Sequence, residues 1–183
     1  MNADYVLEII KGRRSIRRFT DQEVGRDTLR TLIEAAVWAP SGSNAQAWEF
    51  VVLCHDDKEL MSRMTAFLPG LTTPPPAMIW LCLDRAKEKA KAGKLGLDVM
   101  GVMDISMAAQ NIMLMAHALG LATCAIGSFN ADVARMALEL PEHVTPELML
   151  ILGYPGEPGF APPRPPVEQN IHWRKYKTKE GAK

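Results

Sequence analysis

Between Asp98 and Leu119 the chain reads as a helix with no polar face. Met100, Met103, Met107, Met113 and Met115 are interleaved with valine, isoleucine, alanine and leucine on nearly every side. A helix that is apolar all round is either the central helix of a soluble core or a membrane span. Asp98, Asp104, Gln110, Asn111 and His117 interrupt it, and the uninterrupted runs are too short for a bilayer. The stretch is therefore expected to be covered by its own fold on one face and by a second copy of the chain on another. A single buried helix in a monomer is the alternative. His117 reads as a satisfied interior histidine.

The remaining elements are expected to pack around that helix. Asp4–Gly12 is amphipathic, with Asp4 as its N-cap and Gly12 as its stop. Asp27 is expected to cap a second helix carrying Leu29, Leu32, Ile33, Ala36 and Val37, which Pro40 ends. Strands are expected at Glu49–Cys54, Ala77–Leu83, Leu121–Ile126 and Glu147–Gly153. Lys58–Leu68 reads as a helix, and Pro69-Gly70 and Pro74-Pro75-Pro76 bracket a loop. Asp84–Lys94 is charged and alanine-rich, a solvent-facing helix or a mobile excursion. Gly120 closes the central helix, and Asn130 caps a helix over Ala131–Leu140. Helices alternate with strands without repeats, which gives an α+β or α/β layer of four or five strands with helices packed on it.

Composition narrows the partners. A chain of 183 residues is expected to form one domain over 1–183, with 155–183 as an extended C-terminal arm because prolines recur there. Lysine plus arginine balance aspartate plus glutamate at 21 each. That argues against nucleic acid or an acidic membrane surface as the main partner. Cys54, Cys82 and Cys124 sit far apart in apolar runs and match no metal-ligand spacing. Buried free thiols in a reducing cytoplasm are expected. Met1–Asp4 has no basic n-region, so no signal peptide is expected. Trp173 is expected to anchor the arm, which reads as wrapping a partner subunit.

Against that neutral background, Arg13-Arg14-Ser15-Ile16-Arg17-Arg18-Phe19 is a local cationic patch, suited to one small anion. Read as extended, Arg13, Ser15 and Arg17 share a side and the two arginines lie roughly 13 Å apart. Read as a helix, they share a face about 6 Å apart. A solvated turn is the alternative. The loop Pro40-Ser41-Gly42-Ser43-Asn44 can bring hydroxyls, an amide and backbone N–H groups to a polar ligand, although an ordinary helix-to-strand turn would look the same. Gly127-Ser128 forms a strand-to-helix turn of similar character. No nucleophile motif, metal grouping, P-loop or G-x-G-x-x-G accompanies these groups. Anion and amide contacts without a reactive side chain suit a protein whose cofactor carries the chemistry.

Taken together, the arginine patch, Ala39-Pro40-Ser41-Gly42-Ser43-Asn44 with Gln46 and Trp48, the Ile126–Asn130 turn and the Arg164…His172-Trp173 tail resemble the FMN-dependent nitroreductase family, in order and over nearly the full chain. The resemblance implies a three-layer α+β fold, with a central, mostly antiparallel sheet of four or five strands flanked by helices. It implies a homodimer with FMN at the interface and the C-terminal arm wrapping the partner. Arg13 and Arg164 would hold the phosphate, with Arg14 and Ser15 beside it. Arg17 would lie at the pyrimidine edge of the ring, where a fixed positive charge stabilises the reduced flavin. Pro40, Ser41, Ser43, Asn44 and Gln46 would contact the ring and ribityl chain, and the N–H groups of Gly127 and Ser128 would face the N5 edge.

NADH or NADPH would reduce the flavin, and a small electron-poor acceptor, nitroaromatic or quinone, would reoxidise it in ping-pong fashion. Reductive dehalogenation or ring oxidation on the same cofactor is the alternative, with lid candidates at 65–75 and 85–97. A flavin-storage protein without turnover is another. Two departures stand out. Ala47 occupies the place of the family's usual proline before the tryptophan, and Gly127 stands where many bacterial members carry glutamate.

Overall fold

The computed structural model describes residues 3–68 and 71–176; Met1, Asn2, Pro69, Gly70 and residues 177–183 lie outside the described residues. Four strands form one sheet: β1 (Trp48–Leu53), β2 (Ala77–Asp84), β3 (Ala122–Ile126) and β4 (Val144–Gly153). Their order is β1-β2-β4-β3, with every pair antiparallel.

Central strand β2 explains the layers. From Ala77 to Leu83 every residue is buried, with no apolar–polar alternation, because both faces of the sheet are covered. The odd positions Ile79, Leu81 and Leu83 enter one core with Leu150 and Leu152. The even positions Met78, Trp80 and Cys82 enter a second core with Met149 and Ile151. Helices α2 (Arg26–Val37) and α5 (Gly101–Ala118) cover the first face through Leu29, Leu32, Ile105, Ala108 and Ile112. Helices α3 (Lys58–Thr65) and α6 (Ala131–Ala137) cover the second through Met61, Met64 and Ala134. The expected α+β, three-layer arrangement is thus present, with four strands in the sheet.

Along α5, Ile105, Ala108, Ala109, Ile112 and Ala116 are buried at helical spacing, while Val102, Met103 and Met107 stay exposed in a single chain. Asn111 sits on the buried side because its amide donates to the Ala35 carbonyl at 3.0 Å. The helical stretch Arg85–Ala118 is long and apolar enough to cross a membrane by length and composition. It is not one straight span. Helix α4 (Arg85–Leu95) breaks at Gly93, at φ 64° and ψ −151°, and joins α5 through a π-turn at Gly96–Met100.

Local signals account for most boundaries. Asn130 caps α6 by accepting the Val133 N–H at 3.1 Å, and Gly120 ends α5 at φ 76°. Three expectations need correction. Asp4 is not an N-cap: it lies inside the first turn of its helix, Ala3–Gly12. The N-cap of α2 is Gly25, and Asp27 instead lies in the first turn, where its charge favours the helix dipole. Helix α4 is no mobile excursion. Asp84 caps it, accepting the Lys87 N–H at 2.9 Å, and Glu88 is wholly buried beneath it.

The arginine segment follows α1 (Ala3–Gly12) and pairs with the sheet edge. Ser15 bridges Thr123 in parallel, and the Ile16 N–H donates to the Thr123 carbonyl at 3.1 Å. Beyond β4 the arm returns along the same segment. Thr20 N–H donates to Tyr154, and Gly156 N–H to Arg18. Glu157 takes the guanidinium of Arg18 at 2.7 Å and accepts both the Arg17 and Arg18 N–H groups at 3.3 Å. Farther on, Phe160, Trp173 and Tyr176 are exposed in the single chain, so Trp173 anchors nothing on its own chain.

Ile112 is fully buried between α5 and the sheet, so Ile112→Ala should cost about 2–5 kcal/mol in urea denaturation. The Arg18 side chain and neighbouring N–H groups hold the Glu157 carboxyl below its usual range. Its clamp is therefore present above the ordinary carboxylate range and is lost as pH falls through the lowered value. Limited proteolysis should cut the arm faster on acidification, and Glu157→Gln should show that faster cutting already at neutral pH.

Candidate functional site

Two grooves meet at Arg17. The first encloses about 530 Å³ and is walled by Lys11, Arg13, Arg14, Ser15, Arg17 and Arg164, with Gln110 from α5 and Phe160 and Pro162 from the arm. It holds five cationic side chains and no carboxylate. Among the described residues Arg13, Arg17 and Arg164 have no carboxylate within ion-pair distance, whereas Arg18 turns away to Glu157. Such a cluster is costly when empty and favours an anion with several oxygens, which guanidinium forks bind in pairs. Arg14 is partly committed. Its Nη1 donates to the carbonyls of Lys11 at 2.5 Å and Arg13 at 2.9 Å, closing the C-terminus of α1.

The second groove, about 620 Å³, continues from Arg17 past Phe19, His55, Lys58, Thr73 and Pro74–Pro76. The extended reading of the patch fits this geometry better than the helical one. Arg13, Ser15 and Arg17 share the cleft, and Arg164 reaches it from near the far end of the chain. Lys11, Gln110 and Phe160 were not anticipated. Lys11 and Gln110 lie on helices whose own periodicity explains them, Phe160 lies in the irregular arm, and only the fold brings them to the patch.

At the far end of β3, Gly127 and Ser128 form an exposed turn, closed by the Phe129 N–H donating to the Gly127 carbonyl at 3.2 Å. From Thr123 to Gly127 the strand advances roughly 13 Å. An elongated ligand anchored near Ser15 could therefore reach the turn. An added Cβ on Gly127 would meet nothing within 4 Å, so the turn has an open front.

The Ser41–Gln46 loop is built differently. Ser43, Asn44 and Gln46 hold left-handed φ values of 51°, 50° and 50°, a conformation that costs residues bearing a Cβ about 1 kcal/mol or more each. Ser41 Oγ accepts the Gln46 N–H at 3.1 Å, and Gln46 Nε2 donates to Asn44 Oδ1 at 2.7 Å. Both oxygens of Asp104 accept the Gly42 N–H, at 3.2 and 3.0 Å. This places the loop at the first turn of α5, whereas Gln110 carries the cleft about 9 Å farther along that helix. Within one chain, Pro40, Ser41, Ser43, Asn44 and Gln46 line neither of the two grooves.

Comparison with known proteins is consistent with this geometry. The family model described as "Nitroreductase family" matches residues 10–78 and 69–154. A Methanothermobacter thermautotrophicus protein, whose name couples NADH dehydrogenase with NAD(P)H nitroreductase, is 34% identical over 158 residues, covering 83% of this chain and 78% of that one. The oxygen-insensitive NADPH nitroreductase of Salmonella typhimurium is 31% identical over 179 residues, covering 93% and 74%. Among solved structures, the NADPH:FMN oxidoreductase from Vibrio harveyi, complexed with NAD+, superposes with a TM-score of 0.83 at 26% identity, covering 95% of this chain and 79% of that one. With the family match spanning most of its length, the chain belongs to the nitroreductase family of oxidoreductases.

Proposed function

We propose that this chain binds FMN and uses it to pass electrons from NADH or NADPH to a small electron-poor acceptor, a nitroaromatic or a quinone. The observation that carries this reading is the convergence of Arg13, Arg17 and Arg164 on one cleft free of carboxylates. A phosphate monoester matches that cleft in charge and in its need for several donors. FMN, when bound, supplies the electron transfer that no side chain here can perform.

Each group then has a task. Arg13 and Arg164 bind the phosphate, with Ser15 donating its hydroxyl and Arg14 adding the guanidinium face left free by its backbone bonds. Arg17, standing where the two grooves meet, holds a fixed positive charge at the ring's polar edge. The turn N–H groups of Gly127 and Ser128 orient the opposite edge.

The Ser41–Gln46 loop completes the site from a second subunit, since within one chain it lies away from the cleft. The surface suits such a pairing. Helix α1 buries none of its residues and leaves Tyr5, Val6, Leu7 and Ile10 exposed, and α5 leaves Val102, Met103 and Met107 exposed. A homodimer, with arms crossing between subunits, would cover both.

The purified protein should be yellow, with FMN bound stoichiometrically, and anaerobic NADH or NADPH should bleach it. Bound FMN that neither nucleotide bleaches would indicate a carrier. Arg13→Ala should weaken FMN binding by about 1.5–3 kcal/mol in fluorescence titration. Arg17→Ala should slow flavin reduction in stopped flow more than it weakens binding. Because the turn has space in front of it, Gly127→Glu should still fold and bind FMN while changing the ratio of kcat/KM between nitroaromatic and quinone acceptors.

A further inference from the structure

Three left-handed residues in one short loop persist only where the surroundings impose them. Here the loop rests on Asp104, which is 3% exposed and accepts the Gly42 N–H with both oxygens. Gly42 permits this approach, since a Cβ there would sit 2.2 Å from the Met100 methyl. Behind Asp104 lies Glu88, 0% exposed, and neither of its carboxyl oxygens has a hydrogen-bond partner. Gly96 of the π-turn makes room for it. A Cβ on Gly96 would meet Glu88 Oε1 at 2.5 Å; Gly101 makes room chiefly for Leu83, whose methyls a Cβ there would meet at 2.6 and 3.0 Å, with Glu88 Cγ at 3.4 Å.

Among the described residues neither carboxyl forms an ion pair. The Asp104 charge acts on Glu88, and the Gly42 N–H favours charge on Asp104. Of the cations on α4, Arg85, Lys87, Lys89 and Lys91 form no ion pair with Glu88 or Asp104 among the described residues. Lys94 pairs with Asp98, and Asp84 holds the Lys87 N–H. A buried carboxyl without donors stays neutral. Burial, and then the Asp104 charge, push Glu88 up; burial also raises Asp104, against the pull of the Gly42 N–H. Glu88 is therefore the member that keeps its proton, and Asp104 presents the single negative charge to the loop.

We propose that Asp104 is the positioning residue that holds the Ser41–Gln46 loop in its flavin-facing shape, with uncharged Glu88 as its buried partner, so that a second negative charge on the pair loosens the loop and weakens flavin binding. This rests on the flavin reading above. The sign follows from linkage. Both groups bind protons more tightly in the folded chain, so the pair's contribution to stability is present at low pH and is lost as pH rises through the raised values. Flavin affinity falls in the same direction as Glu88 ionises.

The test is FMN titration of wild type, Glu88→Gln and Asp104→Asn between about pH 5 and pH 9, with thermal unfolding of each protein over the same range. Glutamine keeps the shape of the protonated acid and cannot ionise. The wild-type minus Glu88→Gln difference cancels the titration of the FMN phosphate itself. The expected result is a wild-type affinity that declines with rising pH relative to Glu88→Gln, and a flatter stability profile for that variant. Asp104→Asn should weaken FMN on the order of tenfold, with near-ultraviolet circular dichroism confirming that it is folded. If Glu88→Gln follows the wild-type pH profile, or Asp104→Asn binds FMN as wild type does, the proposal is overturned. If wild type binds no FMN at any pH, the flavin reading falls, and the loop's positioning role with it.

Discussion

Five positive side chains around one cleft repel one another, and the backbone pairing of Ser15 and Ile16 with Thr123 helps hold them there. The opposing restraints are covalent and local: the end of α1 on one side, the β3 edge on the other, and the returning arm clamped by Glu157. A phosphate entering the cleft would relieve the repulsion, and that relief would add to its binding free energy. The same geometry explains why the rest of the chain can be electrically neutral. A net positive protein would attract anions everywhere; this one concentrates its attraction at a single place.

The sheet determines where that place falls. Covering both faces of β2 and β4 uses α2, α3, α5 and α6, so the free surfaces are the sheet edges and the helix faces turned outward. The patch occupies one edge. The outward faces of α1 and α5 keep an apolar surface that a single chain leaves open to water, the surface that the homodimer proposed above would cover.

Much of this was legible in the sequence, for reasons tied to particular residues. The unbroken apolar run of β2 identifies a strand buried on both sides. Gly120 and Asn130 mark helix ends because a left-handed φ and an Asn side-chain acceptor are local necessities. The arginine patch is visible because neutral surfaces do not place four guanidiniums within six positions. What stayed hidden depends on contacts between distant segments. Gly25 rather than Asp27 begins α2, since entry geometry there leaves no side-chain cap. Glu88 sits in a stretch of lysines and alanines that reads as solvated, and only the break at Gly93 and the π-turn bring the chain back over it. Glu157 carries no pattern at all; its role appears once the arm is seen returning along Arg17 and Arg18.

The three cysteines have a chemical consequence. Cys54, Cys82 and Cys124 are 5%, 0% and 1% exposed. Burial, with Glu147 and Glu49 nearby, pushes the Cys82 thiol up to about 12. Burial also raises Cys124, although Arg17 and Arg13 pull the other way. Nucleophilic sulfur is thiolate that a reagent can reach. If the acceptors proposed above are its substrates, burying all three cysteines keeps their sulfurs from being arylated by electrophilic substrates and products, so that turnover need not consume the protein.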